Sequence, residues 1–190
     1  MAGMDVLTQS EAPKRHIAFI GFMGAGKTTC ARIVAGRYGR RFVDIDDVVV
    51  AACGQTIPAI FERSGEAQFR RLEEEALAEV LARPETQIIA TGGGILTTPG
   101  NIPLLRQHAV LVYLRVKPER ALARIDDVLS RPLLSSAGST EVVFALAQAR
   151  ATLYEAACDF SVSTNKRSPD EVVDVTVERI RAAGYGSLLA

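Results

Sequence analysis

The stretch His16-Ile-Ala-Phe-Ile-Gly21-Phe-Met-Gly-Ala-Gly26-Lys27-Thr28-Thr29 dictates the architecture. A short apolar run stops at Gly21, a glycine-rich turn follows, and Lys27 to Tyr38 suits a helix with Gly39 as its C-cap. The turn fits GxxxxGK[ST] in the setting its chemistry requires, directly after a buried strand and opening a helix. Its glycines let backbone N–H groups wrap a phosphate without obstruction by Cβ, and the helix N-terminus adds partial positive charge. Gly24, Ala25, Gly26, Lys27, Thr28 and Thr29 are therefore the candidate phosphate site, with Lys27 reaching β and γ oxygens and Thr28 offering a hydroxyl to Mg²⁺. ATP or GTP is the implied ligand. A dinucleotide fingerprint is excluded, because the register from Gly24 puts Thr29 where GxGxxG needs its third glycine.

Outward from this stretch, short apolar runs recur at Arg41 to Val43, Gln87 to Thr91, Ala109 to Leu114 and Phe160 to Ser163, and read as buried parallel strands. Helical spacing marks Glu66 to Ala82 (Phe69, Leu72, Ala76, Val80), Thr140 to Ala157, and Pro169 to Ala183, where proline sits at an early helical position. Strands alternating with helices predict an α/β layer fold with a central parallel sheet of about five strands. Residues 48–83 hold two or three helices with no strand, and residues 126–139 are rich in Ser, Pro and Gly; each suits a mobile flap. Residues 1–14 read as a polar, frayed tail.

A chain of 190 residues with 48% hydrophobic and 23% charged residues suits a single self-folding domain. Lys plus Arg and Asp plus Glu number 22 each, so no bulk positive field exists to attract nucleic acid, and any anion site must be local. Cys30, Cys53 and Cys158 are odd in number and lack metal-ligand spacing, so they read as small buried hydrophobes in a reducing compartment. Met1 to Arg15 carries Asp5 and Glu11 without an apolar h-region, and no run approaches a membrane span. A cytoplasmic protein, with no membrane or nucleic-acid partner and monomeric, is expected.

Asp44 and Asp46 stand two apart at the end of the second strand, so strand alternation sends both to one side at its carboxyl end and Asp47 elsewhere. One carboxylate facing the metal and the other facing an acceptor hydroxyl is a sensible division for phosphoryl transfer. No Asp closes the strand before Thr91, so Asp44 is assigned the metal. Gly92, Gly93 and Gly94 follow that strand and admit close approach of a ligand. Arg70, Arg71, Arg124, Arg131 and Arg150 are cationic candidates that spacing alone does not sort.

The motifs GFMGAGKTT, FVDID, IFERSGEAQFRRLEE, TGGG, RPLL and TNKRSP, in this order from Arg15 to Pro169, resemble the shikimate kinase family. The resemblance implies a three-layer P-loop kinase fold and ATP-dependent, Mg²⁺-dependent phosphorylation of the 3-hydroxyl of shikimate, giving shikimate 3-phosphate on the route to the aromatic amino acids. By position it implies Lys27, Asp46 and Arg131 as catalytic, with Asp46 holding the reacting hydroxyl and Arg131 reaching the transferring phosphate from a lid. Arg70 and Arg150 resemble the pair that grips the shikimate carboxylate, with Gly92, Gly93 and Gly94 lining that pocket. Thr28 and Asp44 resemble the metal residues, while Arg124, Arg167 and Pro169 match adenine-side positions. Residues 48–83 then read as the acceptor-binding insertion and residues 126–139 as the lid, on a core of 15–47, 84–125 and 140–183. Two departures stand out: Ile45 between the aspartates, and Asp126-Asp127 where the lid approach is commonly more basic. A kinase of gluconate or of a nucleoside monophosphate, and a silent ATP-binding module, are the competing readings.

Overall fold

The computed structural model describes residues 14–124 and 140–190. Arg131, the expected lid at 126–139 and all but the last residue of the expected N-terminal tail lie outside these residues. Five strands, β1 (His16–Ile20), β2 (Arg41–Asp44), β3 (Gln87–Ala90), β4 (Ala109–Arg115) and β5 (Phe160–Ser163), form one sheet in the order β2-β3-β1-β4-β5. All four pairings are parallel. The chain crosses from β1 to the far edge, returns through β3, and then steps outward past β1 to β4. The carboxyl ends of β1 and β3 therefore stand side by side at the point where the order reverses, which is where open α/β sheets place ligands.

Both faces of the sheet are covered, which explains why its strands read as continuous apolar runs. On β1, Ile17 and Phe19 pack with α1 (Lys27–Arg37) and α7 (Pro169–Ala182), while Ala18 and Ile20 enter the opposite core. That opposite core holds α2 (Ile45–Cys53), α3 (Ile57–Leu81), α4 (Asn101–His108) and α6 (Thr140–Ala157), with short α5 (Pro118–Leu122) between β4 and α6. Val110, Val112 and Leu114 of β4 repeat the alternation against Leu111 and Tyr113. No helix among the described residues is long and apolar enough to cross a membrane.

The expected helix at Glu66 to Ala82 is the second part of α3. Gly65 (φ 77°, ψ 174°) breaks the path, and the turns before it begin at an N-cap, Thr56, whose hydroxyl accepts from the Ala59 N–H. At α7, Ser168 and Glu171 close a capping box, with Pro169 at the first helical position.

His16 is fully buried at the foot of β1. Its Nδ1 accepts the Gln87 N–H at 3.2 Å, so Nε2 carries the proton and donates to the Leu81 carbonyl at 3.2 Å. Burial foremost, and then the charges of His108 and Arg15, hold its pKa below the ordinary 6.5, against the Leu81 hydrogen bond. Protonation in the folded state is thus disfavoured, and the unfolded chain takes up the proton first. The stability contributed by neutral His16 is complete above pH 6.5 and declines as the pH falls toward the lowered folded pKa. The expected result is a thermal midpoint that drops on acidification below 6.5, with a shallower slope in His16→Gln; equal slopes would contradict the assignment.

Candidate active site

The glycine-rich turn leaves β1 and climbs over the sheet's carboxyl edge. Gly24 (φ +73°) could carry no side chain, because a Cβ there would strike the Ala121 carbonyl of α5. Gly26 (φ +92°) caps α1 without a side-chain hydrogen bond, leaving the N–H groups of the first turn for a ligand. Lys27, 8% exposed, folds back and donates from Nζ to the Gly21 carbonyl at 2.8 Å and the Phe22 carbonyl at 3.1 Å. This cradle fits a nucleotide's phosphates. It opens into a cleft of about 520 Å³, lined by the turn from Met23 to Cys30, by Asp44, Asp46 and Asp47, by Thr91, Gly92 and Gly93, and by Arg124, Thr164, Arg167, Pro169 and Val172. Cys30 sits near a helix N-terminus, which ordinarily acidifies a thiol, yet burial dominates and pushes its pKa up to about 11.

Asp44 ends β2 and is also the N-cap of α2: Oδ1 accepts the Asp46 N–H at 3.1 Å, while Oδ2 accepts the Thr28 hydroxyl at 2.9 Å. The strand therefore stops one residue before Ile45 could extend it to Asp46, contrary to the expectation that alternation along a strand aligns the two carboxylates. Helix α2 brings Asp46 to the cleft instead, and carries Asp47 to it as well, where strand geometry had sent Asp47 elsewhere. Burial raises the Asp44 pKa, opposed chiefly by the hydrogen bonds from Thr28 and Asp46. Thr28 Oγ1 and Asp44 Oδ2 are hard oxygen donors at a shared position, and this set suits Mg²⁺. Among the described residues no group of three or more His, Cys, Asp and Glu side chains could hold a metal ion.

Beyond Gly92 and Gly93 lies a second, charged compartment. Arg70 and Arg150 are not cleft-lining residues but reach it through the glycine turn. A Cβ at Gly94 would sit on the Arg70 guanidinium, and one at Gly92 would meet the Glu73 and Asp46 carboxylates. Arg150, 5% exposed, donates from Nη1 to the Gly93 carbonyl at 3.0 Å, and the Tyr154 hydroxyl donates to the same oxygen. Glu73 is fully buried; its Oε2 accepts from Arg70 Nη1 at 2.6 Å, and Glu66 takes the other edge of that guanidinium at 3.0 Å. Burial raises the Glu73 pKa against the pull of Arg70, and the Asp46 charge adds to the rise. Burial lowers the Arg150 pKa, and Arg70 lowers it further. Arg150 Nε has no hydrogen-bond partner among the described residues. A buried guanidinium with an unsatisfied N–H, beside a second one held by Glu66 and Glu73, suits an anion.

Arg124 spans the nucleotide side, donating to the Thr164 carbonyl at 2.7 Å, the Thr164 hydroxyl at 3.1 Å and the Gly24 carbonyl at 3.4 Å. Arg167 donates to the Ser163 carbonyl at 3.1 Å beside it. Sequence reasoning missed Glu73 and Tyr154. Glu73 lies three residues after Arg70, and Tyr154 four after Arg150, so each shares a helix face with a candidate arginine, and that spacing was the available signal.

A profile of the shikimate kinase family matches residues 23–181. The chain belongs to the shikimate kinase family. It is 38% identical to the shikimate kinase of Xanthomonas campestris pv. campestris over 170 residues, 90% of this chain and 94% of that one. Its fold resembles shikimate kinase from Acinetobacter baumannii in complex with shikimate, with a TM-score of 0.84 and 34% identity over 90% of this chain and 94% of that one. It also resembles shikimate kinase from Aquifex aeolicus, with a TM-score of 0.78 and 30% identity over 90% and 99% of the two chains. Shikimate kinases are ATP-dependent phosphotransferases with an alcohol acceptor, and the five-stranded parallel sheet between helical layers is the P-loop kinase fold that the sequence predicts.

Proposed function

We propose that this chain transfers the γ-phosphoryl group of ATP to the 3-hydroxyl of shikimate, with Mg²⁺, as a cytoplasmic monomer. The observation that carries the reading is the buried Arg150 and partly buried Arg70 at the glycine turn, beside the Asp46 carboxylate. A small hydroxylated carboxylic acid needs guanidinium forks for its acid group and a carboxylate acceptor for its hydroxyl, and this compartment offers both. Gluconate and nucleoside monophosphates are the alternatives to exclude. A coupled ADP-release assay offering shikimate, gluconate and AMP side by side tests the reading. Turnover with shikimate alone is expected, and turnover with either other acceptor in its place would overturn it.

In this assignment Gly24 to Thr29 and Lys27 hold the phosphates, Arg124 and Arg167 flank the base, and Arg70, Arg150 and the turn Gly92 to Gly94 hold the acceptor. Thr28 and Asp44 would hold Mg²⁺, which when bound neutralises charge on the phosphate oxygens. Asp46 accepts a hydrogen bond from the reacting hydroxyl and orients it. Arg131 is assigned to the transferring phosphoryl group from the lid, and residues 48–83 form the acceptor-binding insertion. Phosphoryl transfer asks for alignment and charge neutralisation more than covalent help, so these side chains act mainly by position and field.

Arg70→Lys keeps the charge but loses the planar fork and its two-sided grip on Glu66 and Glu73. The shikimate KM is expected to rise about tenfold or more with the ATP KM nearly unchanged. Equal rises in both, measured by steady-state kinetics, would remove the acceptor role.

A further inference from the structure

One backbone oxygen ties the acceptor compartment together. The Gly93 carbonyl receives both the Arg150 guanidinium and the Tyr154 hydroxyl, and the two donors come from successive turns of α6. On its other side Gly93 packs against the phosphate loop: a Cβ there would lie 3.2 Å from the Met23 nitrogen. The same turn confronts Arg70 at Gly94. A displacement of Gly93 would therefore move the setting of both arginines.

We propose that Tyr154 is a positioning residue for the acceptor, holding the Gly93 carbonyl in place so that Arg150 can turn its remaining N–H groups to the acceptor's carboxylate. This inference rests on the shikimate reading given above. Arg150 spends one Nη1–H on the carbonyl and keeps Nε without a partner among the described residues, and turning its fork toward an acceptor competes with that one bond. A second donor on the carbonyl relieves that competition. Three features fit Tyr154 to this role. It is 1% exposed, its ring packs at 5.1 Å on Tyr113, and burial keeps its phenol protonated by raising its pKa. The hydroxyl is thus a fixed donor at and around neutral pH.

Tyr154→Phe removes one oxygen and keeps the ring. The shikimate KM is expected to rise about tenfold, with the ATP KM unchanged within about twofold, as follows from losing one buried hydrogen bond at the acceptor side only. Tyr113→Phe, which alters the packed neighbour but no donor to Gly93, is expected to leave both constants alone. An unchanged shikimate KM in Tyr154→Phe, an equal rise in both constants, or the same rise in Tyr113→Phe would each overturn the proposal. A second measurement needs no variant at position 154. In wild-type protein labelled at tyrosine 13Cζ, the Tyr154 resonance is assigned by elimination among the four tyrosines. It is expected to shift when shikimate is added, as the Gly93 carbonyl loses part of its bond from Arg150; a static resonance with shikimate bound overturns the proposal. Wild-type protein that neither binds nor phosphorylates shikimate would instead sink the functional reading, and this inference with it.

Discussion

Asp46→Asn is expected to lower kcat about 10²- to 10⁴-fold, the range for removing a positioned proton acceptor, while both KM values change far less. The substitution preserves size and polarity at the start of α2, where the Asp46 backbone N–H rather than its side chain bonds Asp44. The Asp44 cap of α2 is therefore kept, and what disappears is the negative charge toward which the reacting hydroxyl points. A Cβ at Gly92 would lie 3.1 Å from Asp46 Oδ1 and strike Glu73, so the Asp46 carboxylate lies between the phosphate cleft and the arginine compartment. Steady-state and single-turnover kinetics check the point. A variant with near-normal single-turnover rates would end the assignment, whereas slow chemistry with normal acceptor binding supports it.

Lys27→Met is expected to cost at least about 10³-fold in kcat with a smaller loss in ATP affinity, because charge aimed at developing negative charge acts more strongly on the transition state than on the bound ground state. Methionine keeps the buried stem, and the backbone N–H groups of the turn and the α1 N-terminus remain to hold phosphates. In the structure Nζ rests on the Gly21 and Phe22 carbonyls, so the lysine is already pulled over the cradle rather than extended into solvent. Titration of the variant with a non-hydrolysable ATP analogue separates the two effects. Loss of nucleotide binding with catalysis intact at saturation would show a clamp rather than a catalytic charge.

The core was legible because both faces of the sheet are buried. The apolar runs at His16–Ile20 and Phe160–Ser163 match β1 and β5 residue for residue, and the Thr140 to Ala157 and Pro169 helices carry their own start signals or periodicity. The boundary at Asp44 was not legible by period, since Asp-Ile-Asp alternates like a strand. What overrides it is capping: the Asp44 carboxylate satisfies the Asp46 N–H and starts a helix. The site was legible where local geometry makes it, in the phosphate turn and the glycine turn. It was not where tertiary packing makes it. Glu73 on α3 looks like one of several solvated acids, and only the fold buries it completely against Arg70. Tyr154 likewise reads as a core aromatic until α6 meets Gly93.

Phosphorus NMR of the product formed from ATP and shikimate by the purified chain bears straight on the proposed reaction. A new phosphate monoester resonance is expected, with proton coupling that maps to the carbon bearing the 3-hydroxyl and with stoichiometric ADP. Inorganic phosphate alone, or a phosphate on another hydroxyl, would refute the proposed transfer.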